Sequence, residues 1–307
     1  MDVRTLEGKK ILFVSSEAKE VKPVQEWGRS EGIEPVMLKG EGQKTPLAAI
    51  DSSVIHLAET EDGSVYGAKV SLVVNKEKGR ALYRAGPLIL YINEGNVKSF
   101  SGLFSNKVPT MLFLIDHQAT MKGIRVILER TMAQLALNHL DEGIVLLDGP
   151  LRLSIFEPYN ASLDLLLATN SKTILIGMSK ASRLKPVNRI ASNLAKIKGS
   201  CYVEITELIK SIVRPSLGRS FLVKLQDRGL VFRVDVPSHV EPEYVLSAMK
   251  HSDVLTHGYP ESLKIAHLLS VFTMAEVAGL KGIIASKAGE VLVVEDLRKV
   301  VLGSLKI

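Results

Sequence analysis

The chain has 307 residues, 46% hydrophobic and 23% charged, enough to bury a substantial core as one large domain or two small ones. Its one cysteine, Cys201, excludes an intrachain disulfide and a cysteine-rich zinc site, so any metal must rely on oxygen and histidine donors. The net charge of +6 fits a polyanionic partner, no run approaches the ~20 apolar residues of a membrane span, and the charged MDVRTLEGKK start lacks a signal-peptide core; a soluble, intracellular protein is expected.

Residues 1–46 read as a small αβ elaboration, ahead of a main domain over 47–307. Ile11–Val14 is a short strand, Glu17–Gly32 a helix, and Pro35–Leu38 a second strand. GEGQKT at 40–45 is not a phosphate loop, because Gln43 stands where the motif needs glycine before Lys44. Three strands follow: Leu47–Leu57, Ser64–Val74 and Gly79–Asn93, the last with a break expected at Gly86-Pro87. Their connections, EDGS and NKEKG, carry turn chemistry, which predicts a meander of hairpins.

Thr110–His139 is read as one long helical region. Ile144–Leu147 is a strand buried on both faces that ends in a charge, Asp148. Ser162–Ala168 is helical, Thr173–Gly177 is a strand, and residues 187–197 are helical. Residues 201–236 are rich in strands, FLVKL and LVFRVDV being the clearest. Pro260 opens a helix expected to run to about Gly279, and EVLVVEDLRKVVL at 290–302 is apolar but of undecided type.

Between Asp164 and Glu204 there is no acid, while Lys172, Lys180, Arg183, Lys185, Arg189, Lys196 and Lys198 fall in that window. Such a one-signed stretch suits phosphate contacts, and is equally what a solvated basic face would look like.

Ordered by element, the acids are suggestive. Asp51 lies in the first strand of the meander, Glu129 in the helix after it, and Asp148 at the end of the next strand. That is the layout of an RNase H-like core, an α/β mixed sheet flanked by helices. Hydrolysis of a phosphodiester by two divalent ions about 4 Å apart needs several carboxylates converging on one point. A carboxylate ending an apolar strand is costly to bury alone, and a cation there explains it. Each residue also has a purely structural explanation. Asp51 could cap a turn with Ser52 and Ser53, Glu129 could pair with Arg125 one helical turn away, and Asp148-Gly149-Pro150 could be a plain turn. His267 shares an apolar helix side with Leu263, Ser270, Val271 and Met274, so it is expected to face inward, as a core residue, a ligand or a proton carrier. Tyr259, just before that helix, suits core packing or contact with a nucleotide.

Five stretches in order, AAIDSS (48–53), ILERTMAQLAL (127–137), IVLLDGPL (144–151), LIGMSKASRL (175–184) and GYPESLKIAHLLS (258–270), resemble the NurA nuclease family of archaea and some bacteria. The resemblance implies a homodimeric, manganese-dependent DNA nuclease, with magnesium as the alternative ion. It implies single-strand endonuclease and 5′–3′ exonuclease activity, resecting ends at double-strand breaks with a HerA-type hexameric translocase. A cytoplasmic, nucleoid-associated protein follows. Carried over by position, Asp51, Glu129, Asp148 and His267 become metal ligands, with Tyr259 beside them. Lys180 is set to touch phosphate, and Arg183, Lys185 and Arg189 continue its basic track. The family's Asp-Gly-Ser appears here as Asp51-Ser52-Ser53. This departure keeps open a degenerate subunit that binds DNA or regulates the motor without cutting.

Overall fold

A computed structural model describes residues 2–6, 9–13, 34–39, 42–77, 79–168, 172–180, 185–212 and 217–288, with backbone only at 2–13, 185, 287 and 288. The chain divides into two compact units, residues 1–33 and residues 34–307. The first contains an antiparallel hairpin, β1 (Asp2–Leu6) and β2 (Lys9–Phe13). The helix expected at Glu17–Gly32 and the apolar run 290–302 lie outside the described residues.

The second unit is built on β3 (Val36–Met37), β4 (Leu47–Glu59), β5 (Gly63–Lys76), β6 (Gly79–Asn93), β7 (Gly143–Asp148), β8 (Thr173–Ser179), β9 (Cys201–Glu204), β10 (Arg219–Lys224) and β11 (Phe232–Val236). These nine strands form one sheet in the order β3-β9-β10-β11-β8-β7-β4-β5-β6. Within it, β4, β5 and β6 are an antiparallel meander, and β7 and β8 run parallel to β4. This is the RNase H-like core expected from the order of the acids, extended on the β8 side by antiparallel strands. β6 continues through Gly86-Pro87 as one strand, with a shift of register opposite Lys69.

The helices are α1 (Val97–Ser101), α2 (Thr110–Ile115), α3 (His117–His139), α4 (Leu163–Ala168), α5 (Lys185–Ala195), α6 (Thr206–Ile212), α7 (Pro242–Ser252), α8 (Glu261–Ser270) and α9 (Met274–Ala288). A two-stranded ribbon, β12 (Leu255–Thr256) and β13 (Tyr259–Pro260), precedes α8. The single helix expected over 110–139 is two. Asp116 ends α2 in extended backbone, and its carboxylate accepts from the Gln118 and Ala119 amides to cap α3. The helix expected from Pro260 to Gly279 also divides. Thr273 and Glu276 form a reciprocal cap that starts α9 afresh. The stretch Glu261–Ser286 has the apolar length of a membrane span, with mean hydropathy 1.6. In this fold it is two helices, and Leu263 and Ala266 of the first are wholly buried against the sheet.

β4 lies between β5 and β7, and Leu47, Ala48, Ala49 and Ile50 are completely buried. Strand alternation divides them between two cores. Leu47 and Ala49 pack with Leu246 of α7 and Leu263 and Ala266 of α8. Ala48 and Ile50 pack with Ala133, Ala136 and Leu137 of α3. The small alanines of α3 let the helix sit close to the sheet. Every side chain on β4 is thereby committed to the α8 face or the α3 face.

Candidate metal centre

Parallel pairing places Ala49 beside Leu146 and Ile50 beside Leu147. One step further along both strands come Asp51 and Asp148. By alternation both fall on the α8 face. Asp51 is 3% exposed, deep enough that its charge needs partners. The loop after Asp148 is held down by backbone: the Gly149 amide bonds the Met178 carbonyl at 2.9 Å, and Asp235 accepts from the Leu151 amide at 3.0 Å. Gly177 on β8 makes room for that loop, since a Cβ there would lie 2.6 Å from the Gly149 oxygen.

The third group comes from α8. His267 Nδ1 lies 2.8 Å from Asp51 Oδ2, and the Ser270 hydroxyl donates to the same oxygen at 2.9 Å. Buried Ser71 on β5 donates to the Ala266 carbonyl at 2.6 Å, which anchors the turn of α8 that presents His267. His267 does not sit within the apolar side of its helix as expected. Leu263, Ala266 and Ser270 take the buried face, and the histidine stands at its margin, nearly half exposed and turned to the site. Asp51, Asp148 and His267 each offer a donor atom, and the three atoms lie within 4.8 Å of one another. Two carboxylates and an imidazole suit a hard to borderline divalent ion such as Mn²⁺.

Glu129 stands apart from these three. It belongs to α3, which covers the opposite face, and meets the sheet at Ser52, the next residue after Asp51. The Ser52 hydroxyl and Arg125 Nε both donate to Glu129 Oε1 at 2.8 Å. Arg125 also reaches toward Asp51, with 3.9 Å between Nη2 and Oδ1. Glu129 chiefly, then Asp51 and Asp148, raise the Arg125 pKa above its ordinary value against the opposing effect of burial. The expected i,i+4 pair is therefore present, and it bridges the helical carboxylate to the strand carboxylate. A cavity of about 380 Å³ opens over the site, lined by Asp51, Ser52, Arg125, Asp148 and His267 and, toward the start of α3, by Lys122.

Lys180 lies at the exposed rim, its Nζ 3.4 Å from Asp148 Oδ2 and 5.6 Å from the centre of the Tyr259 ring. Tyr259 packs on Phe232, and its hydroxyl is buried with no hydrogen-bond partner among the described residues. Burial first, then the nearby Asp148 and Asp51 charges, push its pKa far above that of an ordinary tyrosine, so the hydroxyl keeps its proton. Of the remaining basic residues, Arg189 is an exposed residue of α5. Arg183 and the side chain of Lys185 lie outside the described residues.

Ser270 and Ser71 went unrecognised as site residues in the sequence. The alternation of β5 and the helical spacing from His267 are the signals that would have found them. Fold and site together are an RNase H-like mixed sheet with two carboxylates and a histidine gathered beside neighbouring parallel strands. The family model described as the NurA domain matches residues 45–272, and the chain belongs to this family of nucleases.

Among solved structures, the NurA nuclease from Sulfolobus solfataricus is similar at 17% identity with a TM-score of 0.55, covering 83% of this chain and 88% of that one. A second NurA crystal structure is similar at 11% identity with a TM-score of 0.46, covering 81% of this chain and 90% of that one. No curated protein matches the sequence.

Proposed function

We propose that this protein is a manganese-dependent deoxyribonuclease, with magnesium as the alternative ion. Its proposed activities are single-strand endonuclease and 5′–3′ exonuclease, resecting DNA ends at double-strand breaks with a HerA-type hexameric motor. The observation that carries the reading is the convergence of Asp51, Asp148 and His267 within 4.8 Å at the mouth of a cavity. Asp51, Asp148 and His267 would hold the ion, and Glu129 would join them once released from Ser52 and Arg125. The ion supplies Lewis acidity at phosphate and lowers the pKa of water.

The chain's own groups do the rest. Ser270 holds the Asp51 carboxylate in one orientation. Lys180, with Arg183, Lys185 and Arg189, would carry the DNA backbone toward the site by charge. The protonated Tyr259 hydroxyl, close to the Asp148 charge and with no hydrogen-bond partner among the described residues, is available to donate to a phosphate oxygen. The reading includes a homodimer and a cytoplasmic, nucleoid-associated location. It also assigns residues 1–46 to an elaboration on a nuclease domain at 47–307. The edge strand β6 leaves Leu82, Tyr83, Leu88, Ile89 and Tyr91 exposed, an apolar surface that a second copy would cover.

A second reading, a degenerate subunit that binds DNA or regulates the motor without cutting, draws on one observation: Ser52 and Arg125 both occupy the same oxygen of Glu129. Cleavage of end-labelled single-stranded DNA with Mn²⁺, with EDTA and Asp51→Ala as controls, separates the two. Metal-dependent cutting that disappears in Asp51→Ala supports the nuclease. DNA binding without cutting, with the motor present as well as absent, supports the degenerate subunit.

A further inference from the structure

We propose that His56, Glu59 and His117 form a second metal site, suited to zinc and independent of the Asp51 centre. His56 and Glu59 belong to the distal half of β4, and His117 opens α3. His56 lies five positions beyond Asp51, roughly 16 Å along an extended strand, too far to share an ion. One donor atom from each of the three lies within 4.8 Å of the others.

Two members are already in contact, and the third lies directly beside them. His117 Nδ1 is 3.0 Å from the Tyr66 hydroxyl, and its Nε2 is 2.9 Å from Glu59 Oε1. Tyr66 is completely buried opposite His56 on β5, so the partner that orients the His117 ring is itself rigid. Tyr66 on Nδ1 is the kind of partner that orients a metal-binding histidine, and an ion would enter between Nε2 and Glu59, replacing their direct contact. The His56 ring stacks on that of His117, with centroids 4.1 Å apart and planes 16° apart. His56 Nε2 is buried and has no hydrogen-bond partner among the described residues. Stacked rings point their in-plane lone pairs side by side, so the His56 ring must turn about χ2 for them to converge; that turn would satisfy its unpartnered buried nitrogen on a cation shared with His117 and Glu59. Side-chain exposure of 33% at His117 and 40% at Glu59 leaves a path for the ion and for a water as fourth ligand.

The donor set sets this site apart from the first. Two imidazoles and one carboxylate favour zinc, whereas two carboxylates and one imidazole favour harder ions. An ion here would tie the start of α3 to β4, and α3 carries Arg125 and Glu129. The second site would thus act as a structural clamp on one wall of the candidate active site.

The test is zinc content of the full-length protein, stripped with chelator, dialysed against buffered Zn²⁺ and washed. Asp51→Asn/Asp148→Asn should retain one zinc per chain. His56→Gln/His117→Gln should lose it while keeping the wild-type circular dichroism spectrum. Glu59→Gln, which can still hydrogen-bond His117, covers the case in which the double histidine variant fails to fold. It should bind zinc at least tenfold more weakly and lose the zinc-dependent rise in Tm. Zinc content unchanged in Glu59→Gln, or abolished in Asp51→Asn/Asp148→Asn, would overturn the proposal. Neither readout depends on DNA cleavage, so the result stands apart from the nuclease reading.

Discussion

Asp148→Asn gives a prediction with two opposite signs. Asp51 and Asp148 bring donor oxygens within 4.8 Å of each other. Two unit charges at that separation repel by roughly 3 kcal/mol at an effective dielectric near 20. Arg125, 3.9 Å from Asp51, and Lys180, 3.4 Å from Asp148, offset part of this. Lys180 is more than half exposed, so its pairing contributes only ~0–1 kcal/mol. Neutralising Asp148 should therefore stabilise the metal-free protein by about 1 kcal/mol, a rise in Tm of roughly 2–4 °C. With Mn²⁺ at a hundred times its Kd, the wild type gains ≈ 2.7 kcal/mol and the variant, lacking a ligand, gains far less. The order of melting temperatures should thus invert between EDTA and Mn²⁺, read by differential scanning calorimetry, and DNA cleavage should be abolished. An Asp148→Asn protein that melts below the wild type in EDTA, gains the same from Mn²⁺ and still cuts would refute both the electrostatic argument and the ligand assignment.

Tyr259→Phe removes a buried hydroxyl that has no hydrogen-bond partner among the described residues, so stability should hold or rise by about 1 kcal/mol while cleavage falls. Equal loss of both, measured by thermal melts and single-turnover cleavage, would make the tyrosine merely structural. Lys180→Ala should weaken DNA binding and reduce the slope of log K against log salt by about 1, with little change in fold. Unchanged binding across a salt series would remove Lys180 from the DNA path. Ser52→Gly deletes one hydrogen bond to Glu129, about 1.5 kcal/mol, and should lower the Mn²⁺ needed for half-maximal cleavage about tenfold. An unaltered metal requirement would show that Glu129 does not have to leave Ser52.

The central sheet was legible because its strands state their environment. Leu47–Ile50 and Ile144–Leu147 are continuous apolar runs, as strands buried on both faces must be. The hairpins of β4, β5 and β6 announce themselves by turn chemistry. The divisions at Asp116 and at 271–273 were missed although the signals were present: an aspartate inside an apolar run, and the Thr273-x-x-Glu276 capping box. α7 shows no comparable advantage, since its apolar residues follow a weakly marked opening at Glu241, which makes no side-chain cap. Of the site, composition and spacing reach only as far as single acids at strand ends. That Asp51 meets Asp148 depends on the register of β4 against β7, and that His267 meets Asp51 depends on a contact across 216 residues. The His56, Glu59 and His117 cluster has no local signature, because β4 and the start of α3 approach one another only after the meander has folded.

The same alternation explains why the third carboxylate behaves differently from the first two. Asp51 and Asp148 are on one face by register, and no rearrangement of the strands is needed for them to share an ion. Glu129 comes from the other face and can approach only around the strand, at the level of Ser52. A glycine at position 52 would offer it no side-chain donor. The serine offers a hydroxyl at 2.8 Å, and Arg125 adds a charged donor to the same oxygen. An ion that recruits Glu129 would compete with both, whereas one held by Asp51, Asp148 and His267 would displace the direct contact between His267 and Asp51 and the exposed pairing of Lys180 with Asp148. On the proposed metal reading, Asp51, Asp148 and His267 would hold an ion on the α8 face, and Glu129 would join them only once Arg125 is drawn away from it.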